Sequence, residues 1–233
     1  MGKLKVYLSP SNQYDNLYAY GNTNEMKVCN AIAESAQKAL LRNSIDVKKA
    51  PAGQAMVVSI AESNAYNADL HICIHTNAGG GNGTIVFVYD KASSNMKYAN
   101  AIYKKVSALR KGGNKIDYGV RAYPELAECN STSAICVYVE VDFHDNKSIA
   151  KWLIENTAKI GEAIAEGVCN ACGVTFKTAI TKPAKGQIKK VYRVQVGAFT
   201  DKSNVDNCVK KLHNAGFTDT IVKIEEVKFN GQK

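Results

Sequence analysis

No run of apolar residues in the 233-residue chain approaches the roughly 20 that a bilayer-spanning helix needs. A membrane span is therefore not expected. A secretory leader is not expected either: Met1–Leu8 carries two lysines but no long apolar segment, and it reads straight into a strand. The expectation is a protein made in the cytoplasm without a signal peptide, meeting any outside target only after lysis or release. Nor is there a disulfide framework. The seven cysteines are odd in number and scattered at 29, 73, 129, 136, 169, 172 and 208. Cys169 and Cys172 form a lone CxxC without a second pair, and read as two helix-end thiols rather than a zinc knuckle. Disorder is excluded by composition, since 45% of residues are hydrophobic and 22% charged.

Acidic residues are scarce in one region only. Of the 30 Lys/Arg and 21 Asp/Glu, residues 1–175 hold 18 and 16, a balance of +2, and residues 176–233 hold 12 and 5, a balance of +7. A basic tail suits a polyanionic partner: nucleic acid, a membrane surface or a teichoic-acid-bearing wall. Charge does not choose among them.

What is present is a regular alternation of strands and helices. Leu70, Ile72 and Ile74 alternate with His71, Cys73 and His75, the period of a strand with its polar atoms on one face. Asn77 and the glycines of 79–83 stop that strand. Further strands are expected at 3–8, 45–48, 83–89 and 135–141, with helices at 25–42, 54–67, 95–109 and 146–169. Residues 117–134 read mostly as loop, with short strand content near 119–122. This pattern predicts an α/β fold: a mostly parallel twisted sheet of about six strands with helices on both faces. Residues 176–190, with Pro183, Gly186 and several lysines, read as a linker. Residues 191–233 then read as strand, helix, strand, a small βαβ, ferredoxin-like half module. The domain plan is 1–175, a linker over 176–190, and 191–233.

Candidate chemistry sits at the ends of these elements, where α/β domains collect it. Glu25 stands at a helix start, His75 at a strand end and Glu140 at another strand end. Asn22 followed by Glu25 also resembles a capping box, which would occupy Glu25 structurally. His71 lies four strand residues before His75, roughly 13 Å away, so one ion cannot take both. Histidine and carboxylates are zinc ligands, and a catalytic zinc takes three protein ligands plus an open position. A nearby carboxylate can carry a proton from water to a leaving amine. The glycines of 79–83 lack the GxxxxGK[ST] spacing of a phosphate loop and read as a turn. Tyr14, Tyr18 and Tyr20 flank the first loop, where they could stack on sugar rings.

Glu25, the segment Ile74-His75-Thr76-Asn77-Ala78 and the segment Val139-Glu140-Val141-Asp142-Phe143 together resemble the zinc-dependent N-acetylmuramoyl-L-alanine amidases of the type-3 catalytic family. The resemblance covers residues 3 to about 170. It implies Zn2+ as cofactor, Glu25 and His75 as metal ligands, Glu140 as catalytic acid/base, and peptidoglycan as substrate. The family's first ligand is a histidine just after strand one; here that position is Asn12. An amide oxygen is a poorer zinc ligand than imidazole, so Asn12 or Gln13 completes the site, His144 substitutes, or the domain binds wall without cutting it. In the tail, Arg193-Val194-Gln195-Val196-Gly197-Ala198-Phe199 resembles the SPOR domain, which implies binding to peptide-stripped glycan strands. Half the usual repeat is present, and a homodimer would complete it. The tail lacks the aromatic pattern of RNA-binding modules, so no nucleic-acid partner is expected.

Overall fold

The computed structural model describes residues 3–112, 115–179, 195–217 and 220–224. The chain forms two compact units, residues 1–180 and 181–233. The first is built on six strands: β1 (Lys5–Pro10), β2 (Asp46–Lys49), β3 (Leu70–Asn77), β4 (Ile85–Val88), β5 (Val120–Ala122) and β6 (Ile135–Phe143). Their order across the sheet is β2-β1-β3-β6-β4-β5. All neighbours run parallel except β4 against β6, which are antiparallel. The expected mostly parallel sheet is what is found.

The two faces of the sheet differ in kind. Val6, Leu8, Leu70, Ile72, Ile74, Val137 and Val139 point to one side and join the main core. On that side lie α1 (Glu25–Arg42), α3 (Ser93–Ser107) and α6 (Thr157–Cys172). Gly161 lets α6 seat directly on α1: a Cβ there would stand 2.5 Å from the Ile32 carbonyl oxygen. The alternate residues, among them Tyr7, Ser9, His71, Cys73, Cys136 and Tyr138, face the other side, as the period of a strand requires. There α2 (Met56–Tyr66) and the short α4 (Ala127–Ser131) form a thinner layer.

Three differences from the sequence reading have local causes. The long helix expected over 146–169 is two helices, α5 (Lys147–Glu155) and α6, broken at Asn156, whose side-chain amide bonds the Trp152 carbonyl at 2.8 Å. Such local bonding competes with helix continuation. Residues 127–131, taken as loop, form α4. Phe176 and Lys177, taken as linker, bond back to the first unit: Asn43 accepts the Lys177 N–H at 2.7 Å, and Phe176 lies against the Arg42 guanidinium.

In the second unit α7 (Lys202–Asn214) answers to the expected helix, capped by Asp201, which accepts the Ser203 N–H at 2.7 Å. Residues 195–199 and 220–224 carry no strand pairing. The remainder of the two strands expected there, and residues 180–190 of the linker, lie outside the described residues. No helix among the described residues is long and apolar enough to cross a membrane.

Candidate active site

The site is a consequence of register. On the α2/α4 side of the sheet, three parallel strands place their polar residues in rows. Tyr7, His71 and Cys136 make one row, and Ser9, Cys73 and Tyr138 the next. His75 and Glu140 are direct partners in the last row, at the carboxyl ends of β3 and β6. The β3–β6 register shifts between His75 and Asn77, an irregularity of the kind that re-aims side chains beside functional sites.

Glu25 reaches this row from the first turn of α1. The cap of that helix is Asn24, whose side chain accepts the Lys27 N–H at 3.0 Å. The Asn22–Glu25 capping box is therefore not formed. Glu25 instead turns inward, where it is 1% exposed. Its Oε1 lies 2.9 Å from His75 Nδ1 and accepts the Thr76 N–H at 3.4 Å, while Asn16 donates to its Oε2 at 2.8 Å. Burial pushes this carboxyl up, but hydrogen bonds from His75, Asn16 and Ser11 and the charge of His75 hold it below the usual range. His75 is stacked on the Tyr138 ring, with centroids 4.5 Å apart.

Glu140 has the opposite electrostatics. Its Oε2 is buried and has no hydrogen-bond partner among the described residues. Burial pushes its carboxyl up to about 7; His75 pulls it back and the Glu25 charge adds to the rise. Two carboxyls beside one imidazole are thus driven apart, one held as carboxylate and one poised to exchange a proton near neutrality. That separation is the mark of acid/base sites.

The remaining sequence candidates fall in different places. Gln13 lies in the site: its Nε2 is 3.4 Å from His75 Nδ1, and its Oε1 accepts from Asn16. Asn12 lines the same cavity, of about 150 Å3, with its amide N–H donated to the Gln54 carbonyl at 3.1 Å. His144 stands behind Thr76, its Nδ1 3.0 Å from Thr76 Oγ1, and is stacked on Tyr18. Tyr18 is buried and bonds Thr76 Oγ1 at 2.8 Å, so it offers no face to a ligand; Tyr14 and Tyr20 are exposed. The Gly79 and Gly80 N–H groups both donate to Asp145 at 2.7 Å, which anchors the turn after β3.

Two residues of the site were missed from sequence. Tyr138 was legible, being two strand positions before Glu140 and so on the same face. Asn16 was not, because a loop residue nine positions before its partner leaves no periodic signal. A zinc ion suits the Glu25–His75 pair in donor type, one carboxylate oxygen and one imidazole nitrogen; the next group beside them is the Gln13 amide, which presents its nitrogen to His75 and its oxygen to Asn16, not a second imidazole.

Residues 11–170 match the N-acetylmuramoyl-L-alanine amidase family, Amidase_3. The chain belongs to that family. Residues 188–232 of this family member match the SPOR domain. Among curated relatives it is 26% identical, over 167 residues, to the sporulation-specific N-acetylmuramoyl-L-alanine amidase of Bacillus subtilis (strain 168), with 70% of this chain and 60% of that protein covered. It is 27% identical over 164 residues to the N-acetylmuramoyl-L-alanine amidase CwlM of Bacillus licheniformis, covering 69% and 59%. The chain thus spans about 60% of the length of these relatives. Its fold matches the catalytic domain of CwlV from Bacillus (Paenibacillus) polymyxa var. colistinus, with a TM-score of 0.65 at 18% identity over 75% of this chain and 100% of that one. It also matches the catalytic domain of the CD27L endolysin, with a TM-score of 0.57 at 24% identity over 72% and 97%.

Proposed function

We propose that this amidase-family chain hydrolyses the amide bond between N-acetylmuramic acid and L-alanine in peptidoglycan, with zinc held by Glu25, His75 and a side-chain amide. The observation that carries the reading is the register pairing of His75 with Glu140 beside a buried Glu25. Gln13 is the better candidate than Asn12 for the amide, because its side chain lies beside His75 and a turn of the amide would bring its oxygen to the ion. Bound there, zinc would supply Lewis-acid polarisation of the scissile carbonyl and acidify water.

The protein's own groups divide the rest of the work. Glu140 takes a proton from the attacking water and returns it to the departing alanine nitrogen, a role suited to a carboxyl poised near 7. Glu25 keeps the His75 ring in one orientation, and Asn16 keeps Glu25. Tyr138 closes the space under the imidazole.

The domain plan of 1–175, 176–190 and 191–233 belongs to the same reading. The basic tail, with its SPOR match, would hold the enzyme on glycan strands in the wall, and its site of action would be the wall after lysis or release. The homodimer expected through the tail has no support in the single chain. The second reading is a wall-binding protein on a weakened amidase site, favoured by the amide at the position where imidazole is usual. Glu140→Gln separates the two. The variant should fold, bind purified peptidoglycan and release no new alanine amino termini, whereas wild-type levels of release would refute the role of Glu140.

A further inference from the structure

The face of the sheet that carries this site holds chemistry the proposed reaction does not use. His71 and Cys73 on β3 and Glu128 on α4 are all buried, and one metal-binding atom of each lies within 4.8 Å of the other two. His71 Nε2 is 3.1 Å from Glu128 Oε1, an oxygen that also accepts from the Ser9 hydroxyl. Cys73 Sγ lies 3.8 Å from Cys136 Sγ, and Cys129 packs in the same cluster. A tetrahedral ion bound at about 2.1 Å to nitrogen or oxygen and about 2.3 Å to sulfur keeps its ligand atoms about 3.4–3.8 Å apart. The cluster is within small side-chain adjustments of those spacings.

We propose that His71, Cys73 and Glu128 form a second site, separate from Glu25 and His75, that binds a zinc-class divalent cation with Cys73 as its sulfur ligand. A His71–Glu128 ion pair alone does not account for the arrangement. It sets an imidazole, a carboxylate and a thiol together in an interior where apolar residues of similar size would cost less. The donor set of imidazole, thiolate and carboxylate suits a borderline dication and discriminates against calcium or magnesium.

The place of the cluster gives the ion a purpose. The apolar cluster under α4 consists of Cys73, Cys129 and Cys136 with Leu126 and Tyr138 packed against it, far less than the core on the opposite face. A five-residue helix on so little apolar surface is weakly held. A cation joining Glu128 to β3 pins α4 down and fixes one wall of the cavity that reaches His75. It would enter as the chain folds, with release of the Cys73 thiol proton to solvent.

The test is to refold the full chain with Co2+ and read the near-ultraviolet sulfur-to-cobalt charge-transfer band. The proposed catalytic ligands contain no sulfur, so this signal is independent of whether the amidase reading holds. The band should appear in the wild type, persist in His75→Ala and in the Cys169→Ser/Cys172→Ser double variant, and vanish in Cys73→Ser. Zinc content after refolding should fall by one equivalent per chain in Cys73→Ser. Glu128→Gln keeps the size of its side chain, and serves if Cys73→Ser fails to fold; cobalt affinity read from the band should drop by about tenfold or more. A folded wild type without the band overturns the proposal. So does a band that survives in folded Cys73→Ser, is unweakened in Glu128→Gln, or is lost with Cys169 and Cys172.

Discussion

Replacing Glu140 by glutamine should alter stability in a way that depends on pH, and the size of the effect follows from the carboxyl's surroundings. Burial raises this group in the folded protein from its ordinary 4.5 to about 7. The sign follows from proton uptake. Below about pH 4.5 the group is protonated folded and unfolded, and burial of charge costs nothing. Between 4.5 and 7 the unfolded chain releases the proton while the folded one keeps it, so stability falls as pH rises. Above 7 the folded protein carries the buried charge, and the full cost, about 3 kcal/mol, is present. Glutamine has nearly the same shape and no charge. Its own burial cost is constant with pH, so the difference between wild type and variant should grow by about 3 kcal/mol in the variant's favour from pH 4.5 to pH 8. Urea unfolding of the metal-stripped full chain measures this, read through Trp152, the single tryptophan, which lies on α5 in the first unit. A difference that stays constant across that range would refute the reasoning.

Three further outcomes are expected. Gly161→Ala gains about 1 kcal/mol of helix propensity but sets a methyl 2.5 Å from the Ile32 carbonyl oxygen and 2.6 Å from the Ala36 nitrogen. Those are backbone atoms that cannot turn aside, so overpacking of about 1–3 kcal/mol should win and the melting temperature of the first unit should fall by a few degrees; a rise would contradict it. Arg110→Met leaves Asp142, 2% exposed and bonded to the Arg110 Nε at 2.7 Å, without its cation. The loss should approach about 3 kcal/mol in urea unfolding, with much of it recovered by adding Asp142→Asn. By calorimetric titration of zinc, Gln13→Ala should weaken binding more than Asn12→Ala does; the reverse order would assign the amide ligand to Asn12.

Much of the architecture was legible because the sheet is mostly parallel and covered on both faces. The alternation in Leu70–Asn77 and Ile135–Val141 marks strands, and the helical spacing of Val28, Ile32, Ala36 and Leu40 marks α1. What was lost was local. Asn156 breaks a helix by bonding back to Trp152, an event invisible to apolar periodicity, and α4 is too short to show a period. The same division runs through the candidate site. Glu25, His75 and Glu140 stand at element ends, so their convergence could be reasoned from topology and from family resemblance. Whether Asn12 or Gln13 turns toward His75 depends on side-chain direction in a loop, which sequence does not carry. The cap at Asn24 rather than Asn22 is a matter of one turn's conformation, with Asn22 itself at φ 46°. Glu128 comes to His71 from 57 residues away and sits in a segment, 117–134, that reads mostly as loop, so the second cluster had no sequence signal beyond the types of its residues.

The central claim is that this chain cuts the muramoyl–alanine bond with zinc at Glu25 and His75. The most direct measurement is release of new alanine amino termini from purified peptidoglycan by the full chain, with and without a chelator. Release that the chelator abolishes and added zinc restores is the predicted result. No release from folded, zinc-supplied protein that still binds the wall would contradict the claim, and would mean that an amide in place of imidazole had turned the site from cutting to holding.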